Sequence, residues 1–460
     1  MAPPSDARVT LAEGAGLPMA EKIRERIEEI AGSAHVRRIA GLPDIHLKPR
    51  MEAPSSFAVA TEGVLSAQLS SPSPNCGMAL VATDVSAEEL RPHVETLFTR
   101  LRDTVPMKRS PQALSTAEAV RAMGEGVEFG VRGADAAGVT PERYDDGGRR
   151  DALTPGMIKT LMPDDYVERA RLEFGALGGG NHFLELEEVV EIFDEEAAAV
   201  FGLRLGQAVY LYHSDSGGLG YRLGRLYAHR SKARRRSWPR TLAHKSAFHL
   251  SHGDSIGQSG ARMNAFVRPR RYAWLDEDEA MAGLLVAAYA AGVNYAWANR
   301  AAVAAAIAAA TSSVASGATV QLVTDASHNS ITKESGLWVH RHNATHVTPP
   351  AADGSGPFGA IGRPVLLSGT DRSSTYVCRV GPTPEATLFS ADHGAGGSQS
   401  RLASAALPGA PTTRRFHHDG RIYDIAHGGD EGILAVAGAL QSLGVLAPVV
   451  RTQPIAVLKQ

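Results

Sequence analysis

Apolar positions recur at helical spacing near the start of the chain. Across 19–31 (MAEKIRERIEEIA), Ile23, Ile27 and Ile30 fall on one face and Gly32 ends the run, which predicts an amphipathic helix. Ser86-Ala-Glu-Glu and Ser115-Thr-Ala-Glu each set a serine three residues before a glutamate, so 84–122 reads as two helices with capping boxes. Short β-branched or alternating runs predict strands at 78–82, 208–212, 319–323, 336–339, 364–367 and 376–380, with a further acidic one over 185–196. Gly41-Leu-Pro-Asp-Ile-His46 reads as a turn-rich loop and 124–155 as a polar, glycine-rich one. The stretch 280–299 holds twenty residues without a charge, the length of a membrane span. It is mostly alanine, contains Asn294 and Asn299 and runs into Arg300, while the residues that drive insertion are scarce. It reads as one buried helix continuing to 311, with the acidic run 276–279 supplying its cap and first-turn carboxylates.

No repeat of fixed period and no Pro/Gly/Ser linker divides the chain, and its polar motifs run from end to end. The fold class expected is therefore α+β: one domain over 1–460, with a site gathered from many loops and an N-terminal extension, 1–39, carrying the first helix. At 460 residues the chain exceeds the usual single domain, yet 43% hydrophobic and 21% charged residues exclude a disordered or fibrous protein. A net charge of −2 requires any nucleic-acid partner to be held by a local basic patch. Two cysteines exclude a disulfide framework and fit a reducing compartment. The opening residues show no basic stretch leading into an apolar run, so no signal peptide is expected and the expected location is cytoplasmic.

The unusual number is seventeen histidines. Several adjoin glycines: Gly178-Gly-Gly-Asn181-His182, His213-Ser-Asp-Ser-Gly217-Gly218, and His393-Gly394-Ala-Gly396-Gly397. Glycine beside an imidazole lets backbone come close to a ligand and leaves amide donors facing it. With Cys76 and His328-Asn329 these make a plausible transition-metal set, and ligand softness alone suggests zinc. Singly, Cys76 reads as a small buried hydrophobe and each histidine as a hydrogen-bonded core residue. The repeated pairing with glycine is what points to a site.

The chain resembles the RtcB family of RNA-splicing ligases. The resemblance is carried in order by Leu42-Pro43-Asp44-Ile45-His46, Cys76-Gly77-Met78, Leu177-Gly-Gly-Gly-Asn181-His182-Phe183-Leu184-Glu185, and His213-Ser214 with Gly218-Leu219-Gly220. It continues through Asn294-Tyr295-Ala296-Trp297-Ala298-Asn299-Arg300, His328-Asn329, Ala344-Thr345, Gly362 with Pro364-Val365-Leu366, His393-Gly-Ala-Gly396, Ser400-Arg401 and Val457-Leu458-Lys459, covering about residue 40 to the end. It implies a ligase dependent on GTP and manganese that joins an RNA 3′-phosphate or 2′,3′-cyclic phosphate to a 5′-hydroxyl. His393 matches the histidine that takes the guanylate. Cys76, His182, His213 and His328 match metal ligands for one or two ions, and Asp44 an acidic residue the family needs. Asn181 and Glu185 match nucleotide contacts, Thr370 and Thr375 stand where family serines bind guanylate, and Lys459 matches the residue that bonds the guanine. The family's manganese replaces the zinc suggested by ligand type. RNA ends are the implied partner, with room for an activating protein.

Departures concern the site itself. Ser73-Pro-Asn-Cys76 has a serine where the family has a metal-binding aspartate, and a hydroxyl is a poor ligand. His213-Ser-Asp215-Ser-Gly217 loses an arginine, with Asp215 placing a charge elsewhere; Arg341-His-Asn-Ala-Thr-His346 and His393-Gly-Ala-Gly-Gly397 lose further cations that clamp phosphates. The Ala-Tyr-Lys element expected near the C-terminus is not recognisable around 424–434. Two other readings stay open: a GTP-independent metal-dependent phosphoesterase of RNA ends, and a catalytically silent RNA-binding relative. Basic runs at 229–240, with Arg230, Lys232, Arg234, Arg235, Arg236, Arg240 and Trp238, and at 266–271 supply candidate RNA contacts, or plain solvated surface.

Overall fold

A computed structural model describes residues 9–12, 19–49, 51–110, 113–130, 140–151, 153–230, 238–351 and 354–460. Its main sheet runs, edge to edge, Val365–Leu367, Thr375–Val380, Leu446–Lys459, Phe183–Ile192, Gln207–Ser214, Gly77–Ser86, Val320–Ser327, every neighbouring pair antiparallel. Thr412–His417 lies parallel to the end of Leu446–Lys459 and pairs with Ile422–Ala426. A second sheet is ordered Val9–Leu11, Val36–His46, Ser55–Thr61, Leu337–His342, Asn329–Glu334. This is the α+β architecture expected.

The main sheet is covered on both faces, so the central strand Gln207–Ser214 is buried along its whole length. In Gln207–Ser214 the side chains of Ala208, Tyr210 and Tyr212 join one core cluster, while Val209 and Leu211 join the other. The first cluster is closed by the helix Ala280–Val314, three residues longer than expected and rich in alanine, which lets it approach the sheet closely. Tyr210 Oη lies 2.9 Å from Thr311 Oγ1, and Tyr212 Oη donates to the Arg300 carbonyl at 3.0 Å. The helix has the length and hydropathy of a membrane span, but 72% of its most apolar window is buried inside the protein.

Several other expectations hold. Ile23, Ile27 and Ile30 are the buried face of Glu21–Ala31, and Ser86–Glu89 and Ser115–Glu118 both form capping boxes. The acidic run before the long helix corrects one of them: Glu279 makes no side-chain cap, and Glu277 instead accepts from Trp338 Nε1 at 2.7 Å and pairs with Lys333 at 2.7 Å. Gly41–His46 is not a loop but the end of the strand Val36–His46, its register slipped between Gly41 and His46 where Pro43 cannot donate to a ladder. The 124–155 stretch contains the short helix Val127–Gly130 and a buried Tyr144.

Candidate active site

Strand register brings the predicted ligands together. Cys76 immediately precedes Gly77–Ser86, His182 precedes Phe183–Ile192, His213 is next to last in Gln207–Ser214, and His328 follows Val320–Ser327. Phe183 and Met78 are both register partners of His213, and Gly77 pairs with Ser327, so all four ligands sit at one end of four adjacent strands. Adjacent strands lie about 4.8 Å apart, which fixes the reach across the set.

Cys76 Sγ is 3.1 Å from His213 Nε2 and 3.4 Å from His182 Nε2. Ligand atoms of Cys76, His213 and His328 lie within 4.8 Å of one another, and so do those of Cys76, His182 and Asp215. The two trios share the sulfur. Both ring nitrogens of His328 and Nδ1 of His182 are buried without a hydrogen-bond partner, a costly arrangement unless something else occupies them. Burial, with neighbouring imidazoles and Lys48, pushes His213 and His328 well below the usual range, so they are neutral donors of a lone pair. Thiolate, imidazole and carboxylate suit manganese or zinc.

His393 follows the strand Ser390–Asp392, which pairs with Ala344–His346; the Ala344 amide donates to the His328 carbonyl at 2.8 Å. The result is a His328–His393 ring separation of 4.1 Å. His393 Nδ1 lies 3.2 Å from the Asn343 carbonyl and donates to it, leaving Nε2 with its lone pair free. Burial, reinforced by Lys48, pushes its pKa down to about 3.

The helix Gly396–Leu402 that follows His393 is held at its first turn by Asp44, whose carboxylate accepts from the Gly397 amide at 3.3 Å, the Ser398 amide at 2.6 Å and Ser398 Oγ. Gly397 is tight against it: a Cβ there would lie 2.9 Å from Asp44 Oδ1. Gly178 is required for the opposite wall, with φ +93° and a would-be Cβ 2.3 Å from His182 Nδ1.

Beside this centre lie the predicted nucleotide contacts. Glu185 and Glu187 are buried on the same face of one strand, and burial with their mutual proximity pushes the Glu185 carboxyl well up. Glu187 accepts from Thr375 Oγ1 at 3.3 Å and from Thr452 Oγ1. Lys459 pairs in register with Phe183 and sits 6.0 Å from its ring centroid. Thr370 bonds Ser373 Oγ at 3.0 Å, and Asn181 is exposed in the glycine turn.

Sequence reasoning missed Glu187, whose signal was its two-residue spacing from Glu185. It also missed Asp371, which pairs with Arg415 at 3.1 Å, and Lys48, two residues after His46. Burial holds the Lys48 ammonium below its ordinary value while Cys76 and Asp44 draw it back up. One predicted cation is structural instead: Arg230 is buried on Glu52 at 3.3 Å, as Arg341 is on Glu334. The Arg230 position corrects the reading of 229–240 as an RNA-binding surface run at that residue; Lys232, Arg234, Arg235 and Arg236 lie outside the described residues. In the second run Arg271 pairs with Glu29 at 2.5 Å.

A family model described as tRNA-splicing ligase RtcB matches residues 26–460. The chain belongs to the RtcB family. It is 26% identical over 413 residues to the tRNA-splicing ligase RtcB of Methanocaldococcus jannaschii, across 84% of this chain and 40% of that protein. It is 27% identical over 385 residues to that of Pyrobaculum aerophilum and 28% identical over 351 residues to the RNA-splicing ligase RtcB of Mycobacterium tuberculosis, in each case across 73% of the relative. The chain thus spans less than half the length of the first of these RtcB relatives and about three quarters of the other two.

Proposed function

We propose that this RtcB member ligates RNA 3′-phosphate or 2′,3′-cyclic phosphate ends to 5′-hydroxyl ends through a guanylate on His393. The observation that carries the proposal is the free Nε2 of a neutral His393 packed 4.1 Å from His328, at the edge of the Cys76 cluster. Cys76, His213 and His328 would hold one manganese ion and Cys76, His182 and Asp215 a second, which would supply charge neutralisation for the crowded phosphates. Asp215 then restores the carboxylate that Ser73 lacks.

His393 Nε2 attacks the α-phosphorus of GTP; the N–P bond forms as pyrophosphate leaves. The Asn343 carbonyl keeps the Nδ1 proton in place during attack, so the ring's orientation and tautomer are set by the main chain. A 3′-phosphate oxygen of the RNA takes the guanylate, breaking the N–P bond and returning the lone pair to Nε2. The 5′-hydroxyl then attacks the activated 3′-phosphorus and GMP leaves; a cyclic end is first opened by water. Asp44 positions the His393 loop through the 397–398 amides. Asn181 and Glu185 contact the nucleotide, Lys459 the guanine, and Thr370 and Thr375 the guanylate. Residues from 44 to 459 contribute, which supports one catalytic unit.

Purified protein with manganese and α-labelled GTP tests this. Covalent label that His393→Ala abolishes is expected; no label on the wild type ends the proposal. The absence of a cation at Gly397 favours one alternative, a GTP-independent phosphoesterase, which opens cyclic RNA ends without any labelled intermediate.

A further inference from the structure

Outside the Cys76 cluster, a small pocket of about 30 Å³ opens between the helices Gly217–Leu226 and Trp238–Ser251, lined by Arg225, His229, Arg230, Thr241 and Lys245 among others. Arg230 and Lys245 are buried and Arg225 half-buried. Glu52 pairs with Arg230, and among the described residues no ion pair joins a carboxylate to Arg225 or Lys245. The neighbouring sequence 231–237 (SKARRRS) contains none either.

The donor count is informative. Lys245 Nζ donates to the Arg225 and Ala228 carbonyls at 2.6 and 2.8 Å, and His249 Nε2 to that of Leu226 at 2.8 Å, so both cap the end of Gly217–Leu226. That capping uses two of three ammonium hydrogens and does not explain why guanidiniums gather round it. Arg230 spends its terminal nitrogens on Glu52 and the Ser70 and Ala67 carbonyls, yet its buried Nε–H has no partner. Arg262, buried close by, also carries an unpartnered Nε. Burial and the guanidiniums of Arg230 and Arg225 push the Lys245 ammonium well below its ordinary range. Three cations gathered beside a single carboxylate leave positive charge uncompensated, and an anion seated between them lowers that cost.

We propose that this pocket binds a phosphate-type oxyanion through Arg225, the Arg230 Nε–H and the third Lys245 N–H. The anion is either a free phosphate group or a backbone phosphate of an RNA strand. The site does not read ligation, so it stands or falls independently of His393.

Melting of the metal-free protein in inorganic phosphate, against chloride at matched ionic strength, tests it. Saturable stabilisation by phosphate is expected. Arg225→Gln should raise the half-saturating concentration about tenfold, the loss of one charge-assisted hydrogen bond. Lys245→Met should abolish the phosphate effect while lowering the melting temperature in chloride only by the loss of its two helix-end hydrogen bonds; should that variant not fold, Arg225→Gln carries the test. Filter binding of a 5′-hydroxyl RNA across salt concentrations then names the source. A salt slope reduced by about one in Arg225→Gln identifies a backbone phosphate, and an unchanged slope a free anion. No phosphate-specific stabilisation, or the same stabilisation in Arg225→Gln as in wild type, overturns the proposal.

Discussion

Arg300→Met probes the support beneath the candidate active site. Arg300 is fully buried and donates to Asp325 Oδ1 and Oδ2 at 2.6 and 2.7 Å, to Asn75 O and Oδ1 at 2.8 Å each, and to the Ser214 carbonyl at 3.3 Å. One guanidinium therefore ties the residue before Cys76, the residue after His213 and the strand that leads to His328. Methionine leaves the Asp325 carboxylate buried and unpaired, which costs about 3–5 kcal/mol. With an unfolding entropy of about 2.1 cal/mol/K per residue, a chain of 460 residues loses about 1 °C of melting temperature per kcal/mol, so a fall of about 3–5 °C is expected in calorimetry. Arg300→Met with Asp325→Leu removes the orphaned charge and should recover most of that fall. Cobalt bound in place of the native ion should lose its thiolate absorption in the single variant, because Cys76 and His213 are no longer held in register. A single variant melting within about 1 °C of wild type would refute the reasoning, since it would mean the buried carboxylate finds its compensation elsewhere.

Gly178→Ala places a methyl where His182 Nδ1 now lies, on a backbone with φ +93°; metal content measured by elemental analysis should fall with the fold intact by circular dichroism. Asp215→Asn should remove one of two bound ions, whereas Cys76→Ala should remove both, because the sulfur is common to the two trios. His340 accepts the Ser66 amide at Nε2, 3.0 Å away, and burial pushes its pKa down to about 4. Its folded pKa lies below its unfolded one, so its contribution is complete above pH about 6.5 and is lost as pH falls towards 4. Urea titrations between those limits should show a stability slope smaller by about 1.4 kcal/mol per pH unit in His340→Gln.

Much of the secondary structure was legible because it obeys local rules. Ile23, Ile27 and Ile30 repeat at helical spacing, Ser86 and Ser115 sit three residues before their glutamates, and Ala208–Tyr212 has β-rich side chains. The strand through Gly41–His46 was hidden, since Pro43 and Gly41 signal a turn unless a neighbouring strand accepts the slipped register. The glutamates before Ala280 looked like a cap, but a partner 61 residues away, Trp338, takes Glu277. Residue identity alone nominated Cys76, His182, His213, His328 and His393 as chemistry-bearing. Their assembly depended on antiparallel pairing of strands up to about 250 residues apart, a property of sheet topology that no local window contains. The same limit applied to charge: the sequence marked Arg230 as a candidate RNA contact, and the folded chain spent it on the buried Glu52 carboxylate. Composition and spacing determine which groups a chain possesses and which elements they ride on. Only long-range packing decides which groups meet water, a ligand or each other, because burial and pairing set the free energy of a charge more strongly than its neighbours in sequence do.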